Sequence, residues 1–188
     1  MEKNDRSGDL VMKVVVITGS PHKHGTSTFL ADAFIKGAEE AGHEIYRFDA
    51  AVKKIHPCIS CKACITKGEG CVFKDDMEEL NPKLLEADAV IFASPIFYCN
   101  ISAQLKTVID RFFANDRKIC GKRKTALLTT MEDKTMRSAE GVNICFRNTA
   151  VWLNWEVAGI VNAMECPSVT VLEKTEYPRQ AYELGKNL

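Results

Sequence analysis

Val14-Val15-Val16-Ile17-Thr18-Gly19-Ser20-Pro21-His22-Lys23-His24-Gly25-Thr26-Ser27-Thr28 decides how the rest of the chain is read. Four β-branched apolar residues in a row specify a strand buried on both faces. A polar, Gly-bounded loop of phosphate size follows, and helical patterning starts directly after it. That order makes an anion site, because first-turn N–H groups lack intrahelical partners and the helix dipole favours negative charge. The hydroxyls of Ser20, Thr26, Ser27 and Thr28 can cap the helix or donate to a phosphate oxygen. His22 and His24 can pair with such an anion when protonated or serve simply as exposed polar loop residues.

Two phosphate loops of known spacing do not fit. A P-loop needs Gly-x-x-x-x-Gly-Lys-Ser/Thr, whereas Gly19 and Gly25 stand one residue too far apart and Thr26 replaces the lysine. The dinucleotide fingerprint Gly-x-Gly-x-x-Gly is broken by Ser20-Pro21, so Asp49 after the second strand is discounted as a ribose-binding acid. A Ser/Thr loop around a single phosphate remains.

Working outward, Leu30, Ala33, Phe34, Gly37 and Ala41 form a helical stripe that Gly42 is placed to end. Residues 44–48 alternate as an edge strand, and 75–86 are expected to be helical with a break at Asn81-Pro82. Residues 89–93 form a second buried strand, running into Ser94-Pro95-Ile96-Phe97-Tyr98-Cys99-Asn100. Leu105, Val108, Ile109, Phe112 and Phe113 keep helical spacing. Residues 124–129 read as a strand, 138–153 as a helix and 157–161 as a last strand. Tyr177-Pro178 opens a final helix with Ala181, Leu184 and Leu188 inward. Strands alternating with helices give an α/β fold with helices on both faces of a five-stranded parallel sheet. The order 2-1-3-4-5 is the flavodoxin-like three-layer arrangement, whose ligand site lies where the first and third strands diverge. Phe97 and Tyr98, at the third strand's end, could stack on a flat ring there.

The chain has 188 residues, enough for one domain spanning 1–188, with residues 1–11 as a polar leader and 55–73 as a Cys-rich insert. Lys plus Arg and Asp plus Glu are 25 each, so no global field attracts nucleic acid or an anionic membrane. The apolar run 10–17 is short for a signal peptide or a membrane span, and a cytoplasmic location is expected.

Cys58-x-x-Cys61-x-x-Cys64 followed by Cys71 wraps four thiols around one small centre. A bacterial ferredoxin run uses the same first intervals, while zinc more often takes two separated Cys pairs and a redox pair needs only one. A [4Fe–4S] cluster, zinc and free or disulfide-bonded thiols are the alternatives. His56 borders the set. Cys99, Cys120, Cys145 and Cys166 are expected to be small buried residues. Lys106, Asp110 and Arg111 read as an ion-pair pattern on their helix, and Trp152 and Trp155 as core or interface residues.

The stretch 19–27 resembles the phosphate loop of the NADPH-dependent FMN reductase family. Ala93-Ser94-Pro95-Ile96-Phe97-Tyr98, Ser102-Ala103-Gln104-Leu105-Lys106 and Ile109-Asp110-Arg111 resemble its second flavin loop and helix. Glu183-Leu184-Gly185-Lys186 extends the resemblance to the C-terminal helix. It implies an FMN phosphate at Ser20, Thr26, Ser27 and their neighbours His22 and Thr28. The ring would lie along Ser94, Pro95, Ile96, Phe97, Tyr98 and Asn100, with Thr129 and Thr130 as the third edge. The cysteine spacing and Lys74-Asp75-Asp76-Met77 resemble the iron–sulfur flavoprotein branch, which implies a [4Fe–4S] cluster on Cys58, Cys61, Cys64 and Cys71. The family usually has Arg and Asn where this chain has His22 and His24, and often glycines where it reads Thr130-Met131-Glu132-Asp133.

The implied activity is an FMN-dependent oxidoreductase taking electrons from NAD(P)H or another reduced donor and passing them to a small-molecule or protein acceptor. A homodimer or homotetramer is the implied assembly. The flavin would carry the chemistry, so no catalytic side chain is expected. A non-enzymatic flavin electron carrier and a zinc or thiol redox-sensing module are the other readings.

Overall fold

The computed structural model describes residues 11–188, so all of the expected polar leader except Val11 lies outside the described residues. Strand β1 (Lys13–Thr18) pairs in parallel with β2 (Glu44–Asp49) on one side and β3 (Ala89–Phe97) on the other. Helix α1 (Thr26–Glu40) connects β1 to β2. The Cys-rich insert, with the single-turn α2 (Ala63–Thr66), and then α3 (Met77–Glu86) connect β2 to β3. Past β3 come β4 (Asn100–Ile101), α4 (Ala103–Arg111), α5 (Asp116–Ile119) and β5 (Arg123–Thr130). Helix α6 (Arg137–Leu153), β6 (Trp155–Ala163), α7 (Val169–Leu172) and α8 (Tyr177–Lys186) complete the chain.

The parallel sheet runs β2-β1-β3-β5-β6, the flavodoxin-like order expected from the sequence. A sixth strand is added to the expected five. Residues Asn100–Ile101, not expected as a strand, turn back and pair antiparallel with Ile96 and Phe97 at the end of β3.

Strand alternation sorts the core into two layers. Val15 and Ile17 join Val90, Phe92 and Leu127 under α3, α4 and α6, with Leu80, Leu84, Leu105, Val108 and Phe146. Val14 and Val16 join Ile91, Ala126 and Leu128 under α1 and α8, with Leu30, Phe34 and Ala181. Helices α1 and α8 touch backbone to backbone: a Cβ on Gly37 would sit 2.0 Å from the Tyr182 carbonyl oxygen, and one on Gly185 2.1 Å from that of Phe34.

Three local expectations are corrected, and one is met. Helix α3 runs unbroken through Pro82, and Asn81 accepts from Asn115 Nδ2 at 3.0 Å instead of capping a second helix. Cys99, Cys120 and Cys145 are exposed, and of the four scattered cysteines Cys166 alone is buried. Trp155 meets the core expectation, buried and donating to the Ile119 carbonyl at 2.8 Å, while Trp152 is exposed and donates to Asp116 Oδ1 at 3.1 Å. Lys106 pairs with Asp110 along α4, but Arg111 turns inward to Asp75.

Candidate functional site

The C-terminal ends of β1, β3 and β5 open on one cavity of about 1060 Å³. Its first wall is the loop after β1. Gly19 donates to the Ala93 carbonyl at 2.8 Å, and a Cβ there would lie 2.3 Å from Ser102 Oγ. Glycine is what lets the loop leave β1 against the start of α4. The loop then folds around one oxygen: the His22 carbonyl accepts from Ser20 Oγ (3.2 Å), Thr28 Oγ1 (3.1 Å) and the Gly25 N–H (3.1 Å). Gly25 is the N-cap of α1 and brings no side-chain oxygen, so the first turn, with Thr26 and Ser27 in the cavity wall, keeps its N–H groups for an anion. Thr26 Oγ1 lies 2.9 Å from Thr130 Oγ1 and ties this wall to the end of β5.

The second wall is the β3–β4 hairpin. Phe97 pairs with Asn100, leaving Tyr98 and Cys99 as a two-residue turn with φ of 47° and 60°. Positive φ at both centres belongs to a type I′ turn, where Asn and Gly are the usual residues. The strain holds Tyr98 fully exposed and Phe97 half-exposed at the cavity lip.

Residues 130–133 with Ser138 form the third wall, and 166–169 the fourth. Met131 donates to the Ala163 carbonyl and accepts from the Cys166 N–H, each at 2.9 Å. Asp133 accepts from Ser138 Oγ and from the N–H (3.0 Å) and hydroxyl (3.1 Å) of Thr135; these bonds hold its carboxyl below the ordinary carboxylate range. Burial, then the nearby Glu165, pushes the Cys166 thiol up.

Cys58, Cys61, Cys64 and Cys71 are all unpaired and line one small recess, of about 20 Å³, against Arg111 and Phe113. Left-handed residues at Ser60, Lys62, Gly68 and Gly70 keep the insert turning, so that cysteines from both its ends share this recess. Among the described residues, no group of three or more Cys, His, Asp or Glu stands at chelating distance. The donor set fits a thiolate-ligated centre in number and kind, though the thiols do not converge on one point. Arg111 fastens the insert to α4. It donates to Asp75 Oδ2 at 2.5 Å, to Asp75 Oδ1 at 3.1 Å and to the His56 carbonyl at 2.7 Å. His56 is no part of a ligand set here; its ring stacks on Phe73 at 3.8 Å.

The model of the family described as NADPH-dependent FMN reductase matches residues 12–157. The chain belongs to that family. Within the FMN reductase family it is similar to iron–sulfur flavoproteins. One from Archaeoglobus fulgidus is 48% identical over 53% of this chain and 45% of its own. One from Methanosarcina thermophila is 36% identical over 57% of this chain and 56% of its own. The chain thus spans about half the length of the curated relatives it matches. Its fold superposes on an NAD(P)H:quinone oxidoreductase from Methanothermobacter marburgensis with a TM-score of 0.72 at 20% identity, covering 95% of this chain and 97% of that one.

Of the residues singled out in this FMN reductase sequence, Ser20, His22, Thr26, Ser27, Pro95, Ile96, Phe97, Tyr98 and Thr130 line the cavity. Four do not. Thr28 fastens the loop through the His22 carbonyl. Ser94 Oγ accepts from the Ser102 N–H at 2.9 Å, and Thr129 Oγ1 donates to Asn162 at 2.6 Å. Asn100 faces a separate apolar groove between α4 and α6. Asp49 is occupied by Thr18 Oγ1 (2.6 Å) and Arg47 Nε (2.7 Å), which agrees with discounting it as a ribose ligand. The sequence reading missed the fourth wall, although Pro167-Ser168 after the last strand repeats the strand–loop–cap pattern of the first. It placed Arg111 in an ion-pair pattern on its own helix, whereas its position three residues after Val108 on the buried stripe of α4 calls for a partner off the helix, which is Asp75.

Proposed function

We propose that the cavity binds FMN and that the chain acts as an NAD(P)H-dependent oxidoreductase, passing electrons from a reduced donor to a small-molecule or protein acceptor. The observation that carries this is the pairing, across one cavity, of an α1 N-terminus uncapped by any side chain with two exposed aromatics on a strained hairpin. The first-turn N–H groups with Ser20, Thr26 and Ser27 hold the phosphate, and His22 borders it. Pro95, Ile96, Phe97 and Tyr98 flank the ring, with Thr130 and Met131 opposite. Bound there, FMN supplies hydride acceptance and single-electron transfer, and the protein supplies position and electrostatics.

A [4Fe–4S] cluster on Cys58, Cys61, Cys64 and Cys71 belongs to the same reading. It is supported by the spacing, the shared recess and the names of the relatives. Eight unpaired cysteines support a reducing, cytoplasmic setting. Exposed Ile144, Val151 and Trp152 on α6 support assembly as a homodimer or homotetramer.

Titration with FMN under anaerobic conditions, followed by NADPH or NADH, tests the reading. Flavin absorption should appear with the protein and bleach on adding the nicotinamide. A protein that takes up no FMN would refute the assignment, and one that binds FMN but does not bleach would be a carrier fed by another donor. After reconstitution with ferrous iron and sulfide, Cys61→Ala should lose iron and keep FMN.

A further inference from the structure

Arg111 is 3% exposed and is not part of the wall of the large cavity. Its two terminal nitrogens are committed to Asp75 and the His56 carbonyl, but its Nε–H is buried with no acceptor. A donor of a charged group left unmet forfeits its hydration with nothing in return, and native structures rarely do so without a reason. The same side chain lines the recess of the four cysteines, and Cys71 stands near enough for its sulfur to act on the guanidinium charge. The guanidinium also lies over the Phe73 ring, 5.4 Å from its centroid.

Asp75 fixes this arrangement from behind. Its carboxylate accepts from the backbone N–H of His56 (2.9 Å) and of Met77 (3.1 Å) while it holds both terminal nitrogens of Arg111. The guanidinium therefore cannot swing toward solvent, and Nε remains on the side that Asp75 does not occupy.

We propose that Arg111 is a positioning residue for a sulfur-ligated centre in the insert: its spare Nε–H donates to sulfur at the Cys71 corner, and its charge sets the reduction potential there. The proposal rests on the reading of the four cysteines as an iron–sulfur site. Hydrogen bonds to sulfur and local net charge are among the factors that set such potentials. A buried cation favours the more negative reduced form. Removing Arg111's charge therefore lowers the potential, and removing Asp75's charge raises it.

The test reconstitutes the full chain with ferrous iron and sulfide under anaerobic conditions. Iron and acid-labile sulfide are measured, and the midpoint potential is followed by EPR in wild type, Arg111→Met, Arg111→Lys and Asp75→Asn. Arg111→Met should shift the reduction equilibrium about tenfold toward the oxidised form, 59 mV for one electron. Arg111→Lys should shift it less in the same direction, and Asp75→Asn should shift it the opposite way. If Arg111 only clamps the insert to Asp75, Arg111→Met and Asp75→Asn will shift together or not at all, and the proposal is overturned. If Asp75→Asn does not fold, equal potentials in Arg111→Met and Arg111→Lys overturn it; Arg111→Gln replaces Arg111→Met should that variant not fold. A wild-type chain that takes up no iron and sulfide would overturn the cluster reading and this proposal with it. Loading with same-direction shifts would overturn this proposal alone.

Discussion

Thr26 and Thr130 meet hydroxyl to hydroxyl, 2.9 Å apart, where the first turn of α1 faces the end of β5. One comes from the start of α1 and the other from the central sheet, so the contact fixes how far the β1–α1 loop stands from the floor of the cavity. Thr26 has both a hydroxyl and a first-turn N–H on the cavity side. A hydrogen bond to a charged group contributes about 1.5–3 kcal/mol, so Thr26→Val should weaken FMN binding roughly ten- to hundredfold. Thr130→Val should weaken it less, because that hydroxyl reaches the loop through Thr26. Fluorescence titration with FMN measures both; unchanged affinity in a folded Thr26→Val variant would remove Thr26 from the phosphate site.

The turn at Tyr98 and Cys99 stores strain that its own residues do not relieve. A left-handed conformation costs an L-residue about 1–2 kcal/mol, part of which glycine returns as backbone entropy. Cys99→Gly should therefore stabilise the protein by about 0.5–1 kcal/mol and raise its melting temperature by roughly 1–4 °C. Calorimetry decides it: a melting temperature that falls would mean that the turn is not strained at Cys99.

How far the sequence exposes this architecture depends on the range of the interactions involved. The runs 14–17 and 89–93 are buried on both faces, so their composition marks them as central strands, and the alternation of strands with helices then points to the flavodoxin-like order. The loop between β1 and α1 is equally local, since its glycines, hydroxyls and helix start lie within ten residues. Asn100–Ile101 could not be found that way, because the hairpin depends on strained residues that carry no turn signal. Thr129 and Thr130 are adjacent in sequence, but alternation sends Thr129 to Asn162 and only Thr130 to Thr26 in the cavity wall. Arg111 was misjudged for the same reason: its partner Asp75 lies 36 residues away, outside any helical spacing rule.

Gly185 tests the packing that holds α1 in place behind the loop. A Cβ added there would stand 2.1 Å from the Phe34 carbonyl oxygen and 3.0 Å from the Ala38 nitrogen, both backbone atoms that cannot turn aside. Gly185→Ala should destabilise the fold by at least about 1–3 kcal/mol despite alanine's better helix propensity. Chemical denaturation measures the loss. A stabilised variant would show that α8 can slide along α1.

The Asp75–Arg111 pair should also shape the response to acid. Burial alone would push the Asp75 carboxyl up, but hydrogen bonds from Arg111 and from the His56 and Met77 N–H groups outweigh it and hold the group below its ordinary value. A carboxyl whose folded-state value is depressed contributes stability above its unfolded value, near 3.9, and that contribution is lost as pH falls through the lower folded value. Stability should therefore decline from about pH 5 downward, with Asp75 as one source of the slope. Asp75→Asn removes the titration and leaves Arg111 buried without a counter-charge. At neutral pH the variant should be less stable by about 3–5 kcal/mol, and the difference from wild type should narrow in acid. Urea unfolding at pH 7 and pH 3.5 checks both parts. A difference that stays constant between the two pH values would show that the pair does not titrate with folding.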